Sequence, residues 1–434
     1  MDPAELLSSD RSVRRFRAAS LQTLLDGSSR ALKPLLGPGL VLALLAVAVL
    51  GRPSDGEAAT YFVSSSGRDS AAGTTPAQAW RSIGRVNLAR LRPGDVVRFE
   101  AGRLFADQSL SARHSGTARH PITFASYGKG RATLANDQGA VFIADGASHL
   151  RFRRLRLTSG SSSPSSAFSS SATGSGARDI RLDRCLVFAS GGAGILSKLP
   201  TDVGWRIVDS VVRDVGDSGI ILFGSRPVVA RTLVEDVGRD ASIPWAKHGI
   251  YVKAPDAVIR RSTIRGYPDS GVSLRFRGAR LTSNRISGGD MGVSYFLYDD
   301  GFGTSVLEGN TITDTTTAGF YYDGNGAGAG TGMTPREAFE IRRNVFAAKD
   351  GIGLSIFNAR NAKISIVGNR FQGRAYWSIF AAPPAADGRY VETRNVFVGS
   401  PRFNWNGTVL KFPAYRASSG AGRYDRLIAT ADGH

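Results

Sequence analysis

From Ile180 onward a short unit recurs along the chain: an apolar alternation, a polar turn, then a glycine followed by another alternating stretch. The glycine part reads Gly194-Ile195, Gly219-Ile220-Ile221-Leu222, Gly249-Ile250-Tyr251-Val252 and Gly271-Val272-Ser273-Leu274. It continues as Gly292-Val293-Ser294-Tyr295, Gly319-Phe320-Tyr321-Tyr322 and Gly351-Ile352-Gly353-Leu354, at steps of 21 to 32 residues. Each stretch has the period-2 pattern of a strand, and about four residues cannot bury a core alone. Stacked one above another, their inward residues merge into one core, as in a solenoid.

A second series keeps the same step. Asn284, Asn310, Asn344, Asn369 and Asn395 each precede an apolar residue by two positions: Ile286, Ile312, Phe346, Phe371 and Phe397. Asparagine tolerates the left-handed turn conformation, and its amide can bond an identical amide one coil away. The two series together predict an all-β chain, a single-stranded right-handed parallel β-helix. Fifty-two glycines fit a chain that turns often, and 42% hydrophobic residues exclude a disordered one. The single cysteine, Cys185, excludes internal disulfides, thiol zinc sites and paired-thiol redox chemistry, and reads as a small buried apolar residue.

The β-helix domain is expected over residues 59–434. Ala59 to Phe105 resembles the opening of many secreted β-helix proteins, where a strand and a short amphipathic helix cap the first coil. Here Pro76 to Ala89 is the expected helix, and Arg92-Pro93-Gly94-Asp95 the turn into the coil. Such a cap covers an open strand edge that would otherwise aggregate. Phe412 to Ile428 is expected to close the other end. The Ser/Gly/Ala-rich residues 160–176 and the Gly-rich 324–332 read as flexible loops. Ahead of the domain, residues 1–36 are polar and basic, and Leu40 to Leu50 is an apolar run. That run is short for a membrane span of about 20 residues and suits a signal peptide or signal anchor over 37–51. The chain is therefore expected to be exported, secreted or held at the cell surface by that segment alone, and monomeric.

The formal charge of +19 comes mostly from arginine, since lysines number only eight. It favours an acidic partner: nucleic acid, anionic lipid or an acidic polysaccharide. Of these, nucleic acid is the weakest, since its usual motifs are missing, and an acidic polysaccharide is the expected one. If the residue after each repeat glycine points inward, the second and fourth point out. The fourth positions are then Lys198, Phe223, Lys253, Arg275, Phe296, Asp323 and Ser355; the second include Tyr251, Ser273, Ser294, Tyr321 and Gly353. Lys253 and Arg275 should stand side by side about 4.8 Å apart, on a face also carrying Tyr251, Phe223 and Phe296. Like charges that close repel unless an anion joins them.

The surrounding segment, His248 to Gly278, resembles the β-helix polysaccharide lyases of the chondroitinase B and alginate lyase type. In that family a lysine ending one strand acts as base. An arginine ending the equivalent strand of the next coil acts as acid or charge partner. Lys253 and Arg275 match those positions. The resemblance implies β-elimination: the uronate carboxylate is neutralised, a base takes the C5 proton and an acid protonates the departing O4. Lys253 is the candidate base, its neutral form favoured by Arg275 and His248; Tyr321 or Tyr251 is the candidate acid or alternative base. His248 has a second reading as a structural residue at the strand start, and Tyr321 as a stacking surface. Lys198, Lys247, Tyr251, Phe223, Phe296 and Asp323 are the expected substrate contacts.

The family's acidic calcium ligands precede the lysine, where this chain has Trp245-Ala246-Lys247-His248. No cofactor is therefore expected unless calcium finds other ligands, and Lys247, His248 and Arg275 are the candidates to replace it. Three alternatives stand beside the lyase. A non-catalytic carbohydrate-binding solenoid could use the same face, and a uronan epimerase would share the proton abstraction. A glycoside hydrolase needs converging carboxylates, for which Asp299, Asp300 and Asp323 are the cluster available.

Overall fold

The computed structural model describes residues 57–239, 247–296, 302–323, 336–348, 351–357, 362–372, 376–379 and 389–428. The N-terminal basic segment, the apolar run, Asp299, Asp300 and the glycine-rich 324–332 lie outside the described residues. All elements below belong to one unit, Glu57–His434.

Three long sheets run the length of this unit, each of thirteen strands among the described residues. The chain visits them in turn, so every strand pairs in parallel with the one a coil earlier and a coil later. Sheet 1 runs from Thr60–Val63 to Tyr390–Thr393, sheet 2 from Leu104–Phe105 to Arg426–Ile428. Sheet 3 runs from Leu110–Ala112 to Arg402–Trp405 and ends on Thr408–Leu410, an antiparallel addition. This is the expected parallel β-helix, and its coils begin well before Ile180. Strands are three to seven residues long for the most part, and alternate buried and outward positions. The interior is a set of stacked columns, seen most plainly where Phe346, Phe371 and Phe397 lie ring on ring at 5.1 Å. Each such ring removed from water contributes about 1.5–3 kcal/mol.

The glycine repeat has a steric cause. A Cβ on Gly249 would lie 2.5 Å from the Gly271 carbonyl oxygen, and on Gly292 2.5 Å from that of Gly319. Only glycine lets successive coils stack this closely. The same contact corrects one register. Gly319 faces Gly353, 2.7 Å from its oxygen, and Tyr321 pairs with Ser355 and Asp323 with Phe357. Gly351 is therefore two residues out of step, and the outward positions of that coil are Ser355 and Phe357, not Gly353 and Ser355.

The asparagines form a continuous ladder in the turn between sheets 1 and 2. Nδ2 of Asn284, Asn310, Asn344 and Asn369 donates to Oδ1 of the next asparagine at 2.9, 2.9, 3.0 and 3.1 Å. Each also donates to a sheet 1 carbonyl of the preceding coil, such as Leu307 for Asn344. The ladder extends beyond the asparagines. Cys185 N donates to Ser210 Oγ, Thr232 N to Ser262 Oγ and Ser262 N to Asn284 Oδ1; at the far end Asn395 N donates to Asp425 Oδ1. Cys185 is thus a buried rung, its thiol pushed up to about 11 by burial.

Two expected segments differ. Pro76 to Ala89 is not one helix: a 3₁₀ turn at Pro76–Gln78 and an α-helix at Ile83–Leu88 flank an extended Trp80. Trp80 bonds across to Phe62 and Ser64 and stacks its ring on Tyr61 at 4.6 Å, which holds it out of helical geometry. Residues 160–176 hold a strand, Phe168–Ser170, paired on both sides and anchored by the buried Phe168 ring against Phe152 at 4.9 Å.

At the C-terminal end the helix Phe412–Ser419 closes the core, with Tyr415 stacked on Phe403 at 4.4 Å. Beneath it Glu392 occupies an inward position that Ile366 fills one coil earlier. Burial, then Asp425 beside it, raises its carboxyl well above the usual range; Tyr390 and Tyr415 both donate to it. The folded chain therefore holds a proton that the unfolded chain releases. The stabilisation is complete below the ordinary glutamate pKa and declines as pH rises through it towards the folded value. Denaturant titrations from mildly acidic to alkaline pH should show this loss in the native chain and a flatter profile in Glu392→Gln. An equal slope in both would exclude Glu392 as its source.

Candidate functional site

Sheet 3 presents the outward ends of the glycine repeats in adjacent coils. Phe223 pairs with Lys253, Tyr251 with Ser273, Ser294 with Tyr321, and Phe296 with Asp323. Lys253 Nζ lies 5.1 Å from the Phe223 ring centre and 5.2 Å from that of Tyr251. The Arg275 guanidinium carbon lies 4.8 Å from the Tyr251 ring centre and 4.9 Å from that of Phe296. Both cations thus rest on ring faces, each contact contributing about 0.5–2 kcal/mol depending on its desolvation. The stripe continues through Phe296, Tyr321 and Phe357, with ring centres 5.3 and 5.6 Å apart. From Phe223 to Phe357 it spans roughly 24 Å, at about 4.8 Å per coil.

Arg275 is more enclosed than its outward position implies, with 9% of its surface exposed. Its Nη1 donates to Ser273 Oγ at 2.7 Å and to the Leu274 carbonyl at 3.1 Å. A string of buried polar groups continues from there beneath the stripe. Ser294 Oγ donates to Ser273 Oγ at 2.9 Å and lies 2.8 Å from Ser270 Oγ, which in turn is 3.1 Å from Asp269 Oδ1. Asp269 Oδ2 stands 3.1 Å from His248 Nδ1, an ion-pair distance off the line of a hydrogen bond. The His248 ring is buried and packs 4.8 Å from that of Tyr251. His248 therefore sits below the stripe and supports Tyr251.

The structure brings Lys253, Arg275, Tyr251, Phe223, Phe296 and His248 together. Lys198 lies two coils earlier than Lys253 by the strand register. Tyr321 lies three coils beyond Tyr251, roughly 14 Å away at about 4.8 Å per coil, and does not meet Lys253. Burial, and then the adjacent Asp323, raises the Tyr321 hydroxyl above its ordinary pKa, which favours its neutral form and a stacking role. Lys247 is 8% exposed, with Nζ 3.6 Å from Asp217 Oδ1. An ammonium at the position expected to hold calcium repels a divalent cation, so these residues do not fit one. Among the described residues no cluster of three or more His, Cys, Asp or Glu side chains could hold a metal ion. Asp217, Asp269 and the buried serines were not candidates from sequence. The repeat carries a signal for the acids: Asp217, Asp269 and Asp290 each stand two residues before a repeat glycine.

A family description, right handed beta helix region, matches residues 193–382. The fold of the chain is thus a parallel β-helix. Over 85 residues, 18% of this chain, it is 40% identical to lacto-N-biosidase of Bifidobacterium longum subsp. longum; the chain spans only 5% of that protein's length. Among solved structures it is similar to the GH136 lacto-N-biosidase of Eubacterium ramulus, at 16% identity and TM-score 0.51, over 71% of this chain and 68% of that one. It is also similar to the A-module of the Azotobacter vinelandii mannuronan C-5 epimerase AlgE6, at 12% identity and TM-score 0.52, over 78% and 92%. These two likenesses are of fold.

The difference in enclosure between the two cations has a measurable consequence. Arg275→Ala removes hydrogen bonds and two ring contacts and should destabilise the domain by about 2–3 kcal/mol in denaturant titrations. Lys253→Ala, at a less enclosed site where the two ring contacts lie at the low end of the cation–ring range, should cost about 1 kcal/mol. Equal costs would contradict the description of Arg275 as a built-in part of the stripe.

Proposed function

We propose that the protein is exported and acts on an acidic polysaccharide bound along the sheet 3 stripe, cleaving it by β-elimination. The observation that carries this reading is the Arg275 guanidinium fixed between Tyr251 and Phe296, with Lys253 in the next coil. A fixed guanidinium suits a carboxylate, which it can hold with two parallel hydrogen bonds, and exposed rings suit the apolar faces of sugars. With the uronate carboxylate neutralised by Arg275, the C5 proton becomes acidic. Lys253 is the base that takes that proton, the C4–O4 bond breaks as the C4–C5 double bond forms, and the Tyr251 hydroxyl donates to the departing O4. Asp269 and His248 position Tyr251 from below, and Tyr321 stacks against the chain further along. The likeness to a mannuronan epimerase supports a uronan as substrate. The apolar run Leu40 to Leu50 behind a basic leader supports export.

A second reading, a glycoside hydrolase, is favoured by the 40% identity to lacto-N-biosidase. It requires a pair of carboxylates across the scissile bond. Asp323 on the stripe is the available member, with Asp299 and Asp300 outside the described residues.

The test is to incubate the full chain with alginate, pectate, hyaluronan and chondroitin sulfate, each with and without EDTA. The ultraviolet absorbance of unsaturated uronate should rise on one of them, be insensitive to EDTA, and fall at least about a hundredfold in Lys253→Ala, the scale of a lost general base. New reducing ends without unsaturation would replace the lyase by the hydrolase. Binding without cleavage of any substrate would refute both.

A further inference from the structure

The turn between sheets 1 and 2 faces away from the stripe-bearing sheet, and it is built around a single backbone device. The residue just before each ladder rung, and Arg154 at the equivalent turn one coil before Cys185, adopts a left-handed conformation, with φ between 50° and 66° from Arg154 to Arg394. Glycine, asparagine and aspartate suit such a position, and the column uses Gly309, Gly368 and Asp209 in three coils and Ser283 in a fourth. Six others are arginine: Arg154, Arg184, Arg231, Arg261, Arg343 and Arg394, all exposed. Arginine has no preference for this conformation, so the turn does not call for it. Four of them stand as two adjacent-coil pairs, Arg154 with Arg184 and Arg231 with Arg261; Arg343, ion-paired to Glu308, and Arg394 stand apart further along the axis.

Towards the N-terminal half the row broadens onto sheet 1. Arg151, Arg181 and Arg206 stand in register in three consecutive coils, and Arg153 lies beside Asp183. Arg151, Arg153, Arg181 and Asp183 line a groove of about 310 Å³ with Pro121 and Thr123. The carboxylates in this region are already engaged. Asp179 is bound by Arg151 at 2.6 Å, and Asp183 is shared by Arg153, Arg181 and Arg184 at 3.3–3.8 Å. Asp209 is bound by Arg231 at 2.6 Å, a bond that holds its carboxyl below the usual range. Guanidinium groups outnumber carboxylates, and side-by-side like charges are relieved by an added anion.

We propose that this arginine row is a second binding site, for a linear acidic saccharide lying along the solenoid axis and separate from the sheet 3 stripe. Guanidinium forks recognise carboxylate and sulfate oxygens in pairs, and the clustering of Arg151, Arg153, Arg154, Arg181, Arg184 and Arg206 over three neighbouring coils suits charges repeated along a polymer. The column contains no aromatic residue among those described, which disfavours the base stacking that single-stranded nucleic acid requires. The proposal does not depend on cleavage at the stripe.

The experiment uses the full chain carrying Lys253→Ala and Arg275→Ala, so that the stripe is disabled. Titration calorimetry follows oligosaccharides of chondroitin sulfate and of polygalacturonate, which separate sulfate from carboxylate as the recognised group. Arg154→Gly, Arg184→Gly and Arg261→Gly are then added together. Glycine suits the left-handed turn, so the thermal midpoint should hold or rise. Binding of at least one oligosaccharide should weaken roughly tenfold or more, with a shallower salt dependence, as expected when ion contacts are lost. Unchanged affinity in the glycine variant would overturn the site. So would binding abolished already by the stripe substitutions, or tighter binding of single-stranded DNA than of either saccharide.

Discussion

Coil-to-coil register is the constraint on which everything else in this molecule depends. Each strand is too short to hold itself, and every one borrows its hydrogen bonds from the coils above and below. The asparagine ladder fixes that borrowing to the residue. Asn344, for example, donates to Leu307 and Asn369 and accepts from Asn310, all in the buried turn. An unsatisfied buried amide costs about 1–3 kcal/mol, so a coil that slipped would lose several such contributions at once. Slippage by one residue would also turn the core column to solvent. The glycine stack enforces the same register from the opposite side of the coil, since a side chain there would strike the neighbouring carbonyl.

Given that register, chemistry follows from alignment rather than from any local motif. Tyr251, Lys253, Arg275 and Phe296 come from three coils and become neighbours only because their strands match residue for residue. The rings then do two things at once: they shield the cations from each other and leave a surface suited to sugars. The buried Ser273 hydroxyl helps keep Arg275 in place. The opposite corner uses the same repetition differently, spending a turn position that tolerates glycine on a row of arginines.

Much of this was legible in the sequence because a solenoid writes its structure as a repeat. The five asparagines announced the ladder and the repeat glycines the close stacking, so the strand register through Asp323 could be assigned correctly, though Ser273 and Ser294 are buried rather than exposed. Where the repeat is ambiguous, reading failed. Gly351-Ile352-Gly353 offers two candidate glycines, and only the contact with Gly319 selects the second. Ser262, Thr232, Ser210 and Cys185 replace asparagine as rungs and carry no shared letter to be noticed. Phe168 makes a strand inside a serine-rich run because one buried ring outweighs local composition. Asp269 escaped because its partner His248 is a coil away, and enclosure of Arg275 is a property of neighbours that no single strand reveals.

The central claim is that a saccharide lies along sheet 3 across Tyr251, Arg275, Phe296 and Tyr321. A crystal structure of the inactive Lys253→Ala chain with a bound uronate oligosaccharide tests it most directly. Sugar density is expected parallel to the solenoid axis on that stripe, with one carboxylate at the Arg275 guanidinium. Density confined to the arginine corner or to another sheet, with the stripe bare, would contradict it.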